Sequence, residues 1–316
     1  MYAIIVTEKW SGDDDMKYVF IANPNAGKGH AVELLRSEIE KLPQKADCEI
    51  LETEGILHAT RLVKEWAAAH SGEEARFIAC GGDGTINEVF SGAVGLKNVS
   101  VSVFPCGSGN DFVKVFGGME KFSDLRKILE ASVQKLDVLK ANDRYCINVL
   151  NFGFDTMVAK TMNERRDLRG YGKQSDYYFG IAKAFFTAMK TKATVTADGE
   201  VINPDGLLTL CTLGNGQYVG GAFKVAPRAR TDDGLIEVCL VKPIKRIQFP
   251  ALMGPYQAGK HLDEPKFKDI VTYRQATKIV VDAAPGFAYS LDGEIIEAEH
   301  VEVEILPGLL NLAVPK

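Results

Sequence analysis

Long apolar runs, clusters of metal ligands and a basic excess are all missing from this chain of 316 residues. No segment approaches the roughly 20 apolar residues that a membrane-spanning helix needs. The first residues, MYAIIVTEKWSGDDDM, have neither a basic head nor a long apolar centre, so they do not read as a secretory leader. The six cysteines include no CxxC pair, and several lie inside apolar runs such as ARFIAC and EVCLV. Buried free thiols in a reducing compartment fit that pattern better than a disulfide frame. The five histidines are far apart and no HExxH occurs, which argues against zinc. A net charge of -5 excludes a general nucleic-acid binder. GxxxxGK[ST] is absent, as are the HRD and DFG of protein kinases, so neither standard P-loop nor protein-kinase chemistry applies. These absences imply a cytoplasmic protein whose membrane contact is peripheral.

The length suggests two domains, and 46% hydrophobic with 25% charged residues is ordinary globular composition. The first third alternates short apolar runs with helical spacing. Strands are expected at Tyr18–Asn23, Cys48–Thr53, Arg76–Cys80 and Val99–Pro105, and helices at Ala31–Leu42, at His58–His70 and from Thr85. Such alternation predicts an α/β domain with a parallel sheet covered on both faces. After Val133 short runs separated by Gly, Asn, Asp and Pro take over, among them Leu136–Lys140, Tyr145–Phe152, Leu207–Leu213 and Leu235–Val241. That rhythm predicts an antiparallel β-sandwich, interrupted by helices at Ser175–Lys190 and near Ile247–Leu262. The expected division is an extension over 1–15, an α/β domain over 16–132 and an all-β domain over 133–316, whose extreme C-terminus could pack back on the first domain. Met16 directly precedes the first strong strand and could be the true start.

Three glycine-rich segments each follow an expected strand: Asn23-Pro24-Asn25-Ala26-Gly27-Lys28-Gly29, Gly81-Gly82-Asp83-Gly84-Thr85-Ile86-Asn87-Glu88, and Pro105-Cys106-Gly107-Ser108-Gly109-Asn110-Asp111-Phe112. Turns at the carboxyl ends of parallel strands line one edge, where such sheets bind ligands. Glycine lets backbone N–H groups approach a phosphate, and a helix N-terminus favours an anion. Lys28 would add charge, and Thr85 and Ser108 would add hydroxyl donors. Asp83 is a carboxylate in a phosphate-type turn, which suggests a cation between the two, or base catalysis. The lesser alternative is that it holds a tight turn through its own backbone. Arg230-Thr231-Asp232-Asp233-Gly234-Leu235 and Asp292-Gly293-Glu294 are acidic turns that, taken singly, read as ordinary hairpin signals.

Together, NPNAGKG, GGDGTINEV and PCGSGNDF resemble the bacterial soluble diacylglycerol kinase and lipid kinase family, related to sphingosine kinases and more distantly to NAD kinases. The resemblance continues through LDVLKAN, INVLNFGFD, GNGQYVGGAFKVAP, DDGLIEV and LDGE, nearly all of the chain after Met16. It implies a Rossmann-like N-terminal domain, a C-terminal β-sandwich, and ATP in the cleft between them. By the family's motifs, Asn23, Pro24, Asn25, Ala26, Gly27, Lys28, Thr53, Gly81, Gly82, Gly84, Thr85, Ile86, Asn87 and Ser108 would bind ATP. Asp83 and Asp111 would organise a catalytic Mg²⁺. Asp233, with the carbonyls of Arg230 and Leu235, would hold a structural Mg²⁺. Glu294 would be the general base, with Asp83 as its rival. The resemblance departs at Ser108, where the family has Thr, and at Val113-Lys114, where it has Ala-Arg. Lys114 keeps the charge but not the bidentate fork.

A lipid substrate and peripheral membrane contact follow from the same resemblance, and an extended sandwich could support a homodimer. Lys160–Lys192 carries eight basic and three acidic residues. Within it Tyr178, Ile181, Phe185 and Met189 fall on one helical face, with Phe179 and Phe186 broadening it. That face could rest on an anionic bilayer or pack on the sandwich. Two other functions share the motifs: an NAD kinase, and a sensor that binds nucleotide or lipid without turnover.

Overall fold

The computed structural model describes residues 16–42, 48–169 and 173–316, so the expected extension over 1–15 lies outside the described residues. The chain forms two compact units. One runs to Leu136 and takes back Gly308–Lys316, and the other is Asp137–Pro307.

In the first unit β1 (Lys17–Ala22), β2 (Cys48–Glu52), β3 (Ala75–Gly81) and β4 (Val99–Pro105) pair in parallel in the order β2–β1–β3–β4. Every residue of β3 is buried, as a strand covered on both faces requires. The helices are α1 (Ala31–Glu40), α2 (His58–Ala69), α3 (Asp83–Ala93) and α4 (Leu125–Leu129). Buried Arg76 donates to the carbonyls of Ile128 (2.9 Å) and Leu129 (2.7 Å), satisfying the C-terminal end of α4.

The second unit is a sandwich of two mainly antiparallel sheets. Its strands are β5 (Ser132–Ala141, which begins in the first unit), β6 (Arg144–Cys146), β7 (Val149–Gly153), β8 (Thr191–Ala197), β9 (Glu200–Val201), β10 (Leu207–Leu208), β11 (Leu210–Gly214), β12 (Tyr218–Val219), β13 (Phe223–Lys224), β14 (Ile236–Val241), β15 (Val271–Ala276), β16 (Lys278–Ala283), β17 (Ala288–Leu291), β18 (Glu294–Glu297) and β19 (His300–Val314). One sheet has the order β15–β14–β11–β7–β17–β18. The other contains β10–β8–β16–β19, with β5 beside β19 and β6. Side chains from both, including Leu150, Phe152, Val195, Leu213, Val238, Ile279, Tyr289 and Val303, form the core between them. Beyond Gly308, β19 belongs to the first unit, where Leu312 stands opposite Val101 in parallel with β4.

The expected α/β and antiparallel β classes are both found. Two expected strands are broken. Tyr145–Phe152 divides between β6 and β7 at Ile147 and Asn148, where the Asp292 carboxylate accepts the amides of Ile147, Asn148 and Val149. Leu207–Leu213 divides at Thr209, whose residues before and after pair in different sheets.

Three helices cover the outer face of the β7–β11–β14 sheet. They are α5 (Phe154–Arg169), α6 (Gln174–Thr187) and α7 (Phe249–Gln257). The sequence reading does not anticipate α5. Of the expected α6 face, Ile181 and Met189 are buried and Phe185 packs beside them, Met189 from beyond the helix end; Tyr177 and Ala184 complete that side, whereas Tyr178 is 47% exposed. Burial of Ile181 alone contributes about 1.5–3 kcal/mol. The packing reading of this helix therefore holds for one side, and Phe179 and Phe186 remain exposed on the other.

Among the described residues no helix is long and apolar enough to cross a membrane. All six cysteines are free thiols, and burial pushes the Cys106 thiol up to about 11.

Candidate active site

β1, β3 and β4 end at the three glycine-rich segments, which the parallel order brings side by side. In the first, the Asn23 side-chain carbonyl accepts the Asn25 amide at 2.9 Å, closing an Asx turn. Gly27, Lys28 and Gly29 follow with φ of 59°, 60° and 88°. The Asn23 Nδ2 donates to Thr85 Oγ1 at 3.3 Å, joining the first segment to the second. Thr53 extends β2, donating its amide to the Ala22 carbonyl at 2.8 Å, and so lies beside Asn23. Pro24 and Ala26 are half-buried, and Asn25, Gly27 and Lys28 are exposed.

The second and third segments pack backbone against backbone. A Cβ on Gly107 would stand 2.4 Å from the Gly82 Cα, and one on Gly81 would stand 2.4 Å from Thr85 Oγ1. No side chain fits at either position. Buried Asn110 holds the third segment in shape, accepting the Gly107 amide at 3.0 Å and donating back to its carbonyl at 2.7 Å. Phe112 anchors the turn beneath, edge-on to Phe90.

Asp83, at the start of α3, accepts the amides of Asp111 (2.7 Å) and Phe112 (3.2 Å) on Oδ1. Its Oδ2 lies 3.0 Å, and Asp111 Oδ2 lies 3.4 Å, from the place a Cβ on Gly109 would occupy. The two carboxylates therefore converge on one point. Lys114 pairs with Asp111 Oδ1 at 2.5 Å. Gly84 and Ser108 are exposed, and Asn87 is half-buried with its Oδ1 accepting from Ser91. Ile86 departs from expectation. It is fully buried and its amide donates to the Gly82 carbonyl at 3.0 Å, so it packs the core and has no side chain to offer a nucleotide. Glu88, in the same motif, caps α2 by accepting the Ala59 amide at 3.1 Å.

In the second unit Asp233 accepts the Leu235 amide at 3.1 Å, and the Gly234 amide donates to buried Asp137 at 2.7 Å. The Arg230 side chain turns out to Asp232 at 3.2 Å, leaving only its backbone carbonyl for the expected role. Glu237, which the sequence reading passes over as part of EVCLV, is buried with Oε1 accepting the Arg228 amide and Oε2 without a partner. Burial, then the nearby charge of Asp233, pushes its carboxyl up to about 7. Glu294 opens β18, exposed, and its Oε1 is paired with Arg144 at 2.6 Å. Its turn is held by Asp292 below and by Asn163, which donates to the Gly293 carbonyl at 3.0 Å. Among the described residues, no three His, Cys, Asp or Glu side chains converge as a metal centre.

The second unit also holds a cavity of about 50 Å³ under α5, α6 and α7, lined by Phe154, Ile181, Leu210, Phe223, Leu252, Met253 and other apolar residues. Since one water needs roughly 10–15 Å³ by this measure, the cavity admits a few methylene groups unless a helix shifts. One carboxyl lines it. Asp155 has Oδ2 without a partner, and burial pushes it up to about 7. Sequence reading places FGFD in the lipid-kinase resemblance but gives Asp155 no role; its only signal is an acidic residue between Phe154 and apolar helix positions.

Known proteins match this architecture. Residues 17–141 match the family profile described as diacylglycerol kinase catalytic domain, and residues 148–314 match the YegS C-terminal NAD kinase beta sandwich-like domain. A protein of Chromohalobacter salexigens named "Probable lipid kinase YegS-like" is 33% identical over 77% of this chain and 76% of its own length. The diacylglycerol kinase of Bacillus subtilis is 27% identical over 87% of this chain and 88% of its own. Among solved structures, a diacylglycerol kinase from Bacillus anthracis str. Sterne matches with a TM-score of 0.64 at 22% identity, covering 94% of this chain and 96% of that one. A second crystal structure from the same strain reaches a TM-score of 0.74 at 24% identity over 98% of each chain. At such identities the likeness is one of fold.

Proposed function

We propose, from the premise that this chain belongs to the diacylglycerol kinase catalytic-domain family of lipid kinases, that it transfers the γ-phosphoryl group of ATP to the hydroxyl of a diacylglycerol-like lipid. The observation that carries the lipid side is the apolar cavity under α5, α6 and α7, which would take part of an acyl chain and has no use for a dinucleotide acceptor. The three packed segments of the first unit support the ATP side. Their glycines leave the backbone bare, and the α3 N-terminus faces the same edge.

Mg²⁺ fits two places. Asp83 and Asp111 offer two converging carboxylates, the usual protein share of a Mg²⁺ site completed by substrate phosphates. At the 230–235 turn, Asp233 and the partnerless Glu237 oxygen supply the negative charge, with the Arg230 and Leu235 carbonyls as further oxygens. When bound, Mg²⁺ neutralises charge on the transferring phosphoryl group.

The remaining work falls to this chain's own groups. Backbone N–H groups at Gly82–Thr85 and at Gly27 and Lys28 orient the phosphates, the Asn25, Ala26 and Gly29 amides being spent on the turn itself, and Thr85 and Ser108 add hydroxyl donors. Asp83 commits Oδ1 to two amides, which suits it to positioning rather than proton transfer. Glu294 has one oxygen held by Arg144, so Oε2 is the atom that would take the lipid hydroxyl proton.

The test is ATP-dependent phosphorylation of a lipid panel in mixed micelles with Mg²⁺, alongside NAD and a Glu294→Gln chain. Labelled diacylglycerol, lost in the variant, is expected. Label on NAD alone would overturn the lipid reading, and full turnover in Glu294→Gln would return the base to Asp83.

A further inference from the structure

The surface at the end of α6 combines features that phosphoryl transfer leaves unused. The segments Tyr177–Ala197 and Val238–Leu262 carry lysine and arginine but no aspartate or glutamate, on a chain that is acidic overall. A recess of about 490 Å³ opens where they meet, lined by Met189, Lys190, Pro243, Ile244, Lys245 and Arg246. Arg246 is fixed there, its Nε donating to the Phe185 carbonyl at 3.1 Å and its Nη2 to the Phe186 carbonyl at 3.0 Å. A cation on these last carbonyls also suits the C-terminal end of α6. Beside the recess two large apolar side chains stand in solvent, Phe186 at 71% and Ile247 at 86% exposed. Ile244 lines both this recess and the apolar cavity under α5, α6 and α7.

We infer that this face docks on an anionic lipid bilayer, with Phe186 and Ile247 entering the boundary between headgroups and acyl chains, and Lys190, Lys245 and Arg246 meeting lipid phosphates. Exposed aromatic and aliphatic tips set beside Lys190, Lys245 and Arg246 complement a negatively charged interface. The exposed cations of the recess, Lys190, Lys245 and Arg246, form no ion pair with a carboxylate among the described residues, whereas Lys183 farther up α6 pairs with Glu164 at 3.0 Å. Ile244 then stands between the membrane surface and the cavity, so a chain leaving the bilayer would pass it. The docking face rests on its own residues, and only that route rests on the reading of the cavity as a lipid site.

The test is co-sedimentation with vesicles of phosphatidylcholine alone and of equal parts phosphatidylcholine and phosphatidylglycerol. The parent chain is expected to prefer the anionic vesicles and to release them as salt rises. Lys190→Ser with Lys245→Ser should weaken that binding about 25-fold, about fivefold for each charge. Phe186→Ser with Ile247→Ser should weaken it while the melting temperature stays at the parental value. Both variants should keep parental turnover on a dispersed short-chain diacylglycerol, which needs no surface. Anionic vesicles held as tightly by the lysine variant as by the parent would overturn the inference. So would a parent that ignores both vesicles, which would leave this face to a protein partner. A chain that phosphorylates no acceptor sinks the kinase reading, yet its vesicle binding still decides this one.

Discussion

Because Oδ1 of Asp83 accepts the Asp111 and Phe112 amides, an Asp83→Asn chain keeps an acceptor for both while its second oxygen becomes an uncharged amide nitrogen. It should melt with the parent and lose about a hundredfold or more in turnover. A fall in melting temperature equal to that of Asp83→Ala would instead make the residue a turn-holder. Asp155 gives a pH signature. Its folded value lies near 7, above the ordinary carboxyl value of 3.8, so the native state binds the proton more tightly than the unfolded one. Its contribution to stability is therefore complete below the unfolded value and is lost as pH rises towards 7. Asp155→Asn removes that loss, gaining up to about 4 kcal/mol over the parent at pH values near 8 and little near 4, as urea midpoints would show. A difference independent of pH would refute the assignment. The glycine segments and Asp83 are legible in sequence because their geometry allows few other residues. Glu237 and Asp155 are not, since burial of a carboxyl depends on what distant strands and helices place over it.

Helices α5 and α6 meet closely at Gly180, where a Cβ would lie 2.9 Å from the Val158 carbonyl and 3.0 Å from its Cγ1. Gly180→Ala should cost about 1–3 kcal/mol by overpacking, read as a lower urea midpoint, and an unchanged midpoint would mean the helices part freely. This contact explains why α5 is hard to foresee. FDTMVAKTMNERRDLR has a polar second half, and only its first residues, Phe154, Asp155, Thr156, Val158 and Thr161, are buried. In α6 the apolar residues outnumber those one face can bury, so periodicity alone could not choose Tyr177 over Tyr178. The parallel strands of the first unit were easier, because continuous apolar runs such as ARFIAC admit few other readings.

The architecture of an α/β domain and a sandwich could be read from a change of rhythm, and the family profiles agree with it. HVEVEILPGLLNLAV looks like one more sandwich strand, and the point at which β19 passes into the first unit is not marked in it, although a C-terminus packing back on that unit is among the expectations. Its last residues complete the first unit. Ser102 donates to the Ala313 carbonyl at 2.8 Å, Asn311 donates to the Val99 carbonyl at 3.0 Å, and Leu310, Leu312 and Val314 are buried. Ending the chain at Pro307 should therefore destabilise the first unit by roughly 5 kcal/mol, although every one of its own strands and helices remains. Hydrogen exchange across β3 and β4 would report it, and parental protection there would contradict it. The same strand sets an order in time. On the ribosome, residues 16–136 emerge long before residues 308–316, so the first unit stays one strand short until the whole sandwich has been made. A nascent chain released early would carry every glycine segment yet lack the strand that steadies them, so only finished copies would hold the three segments in place.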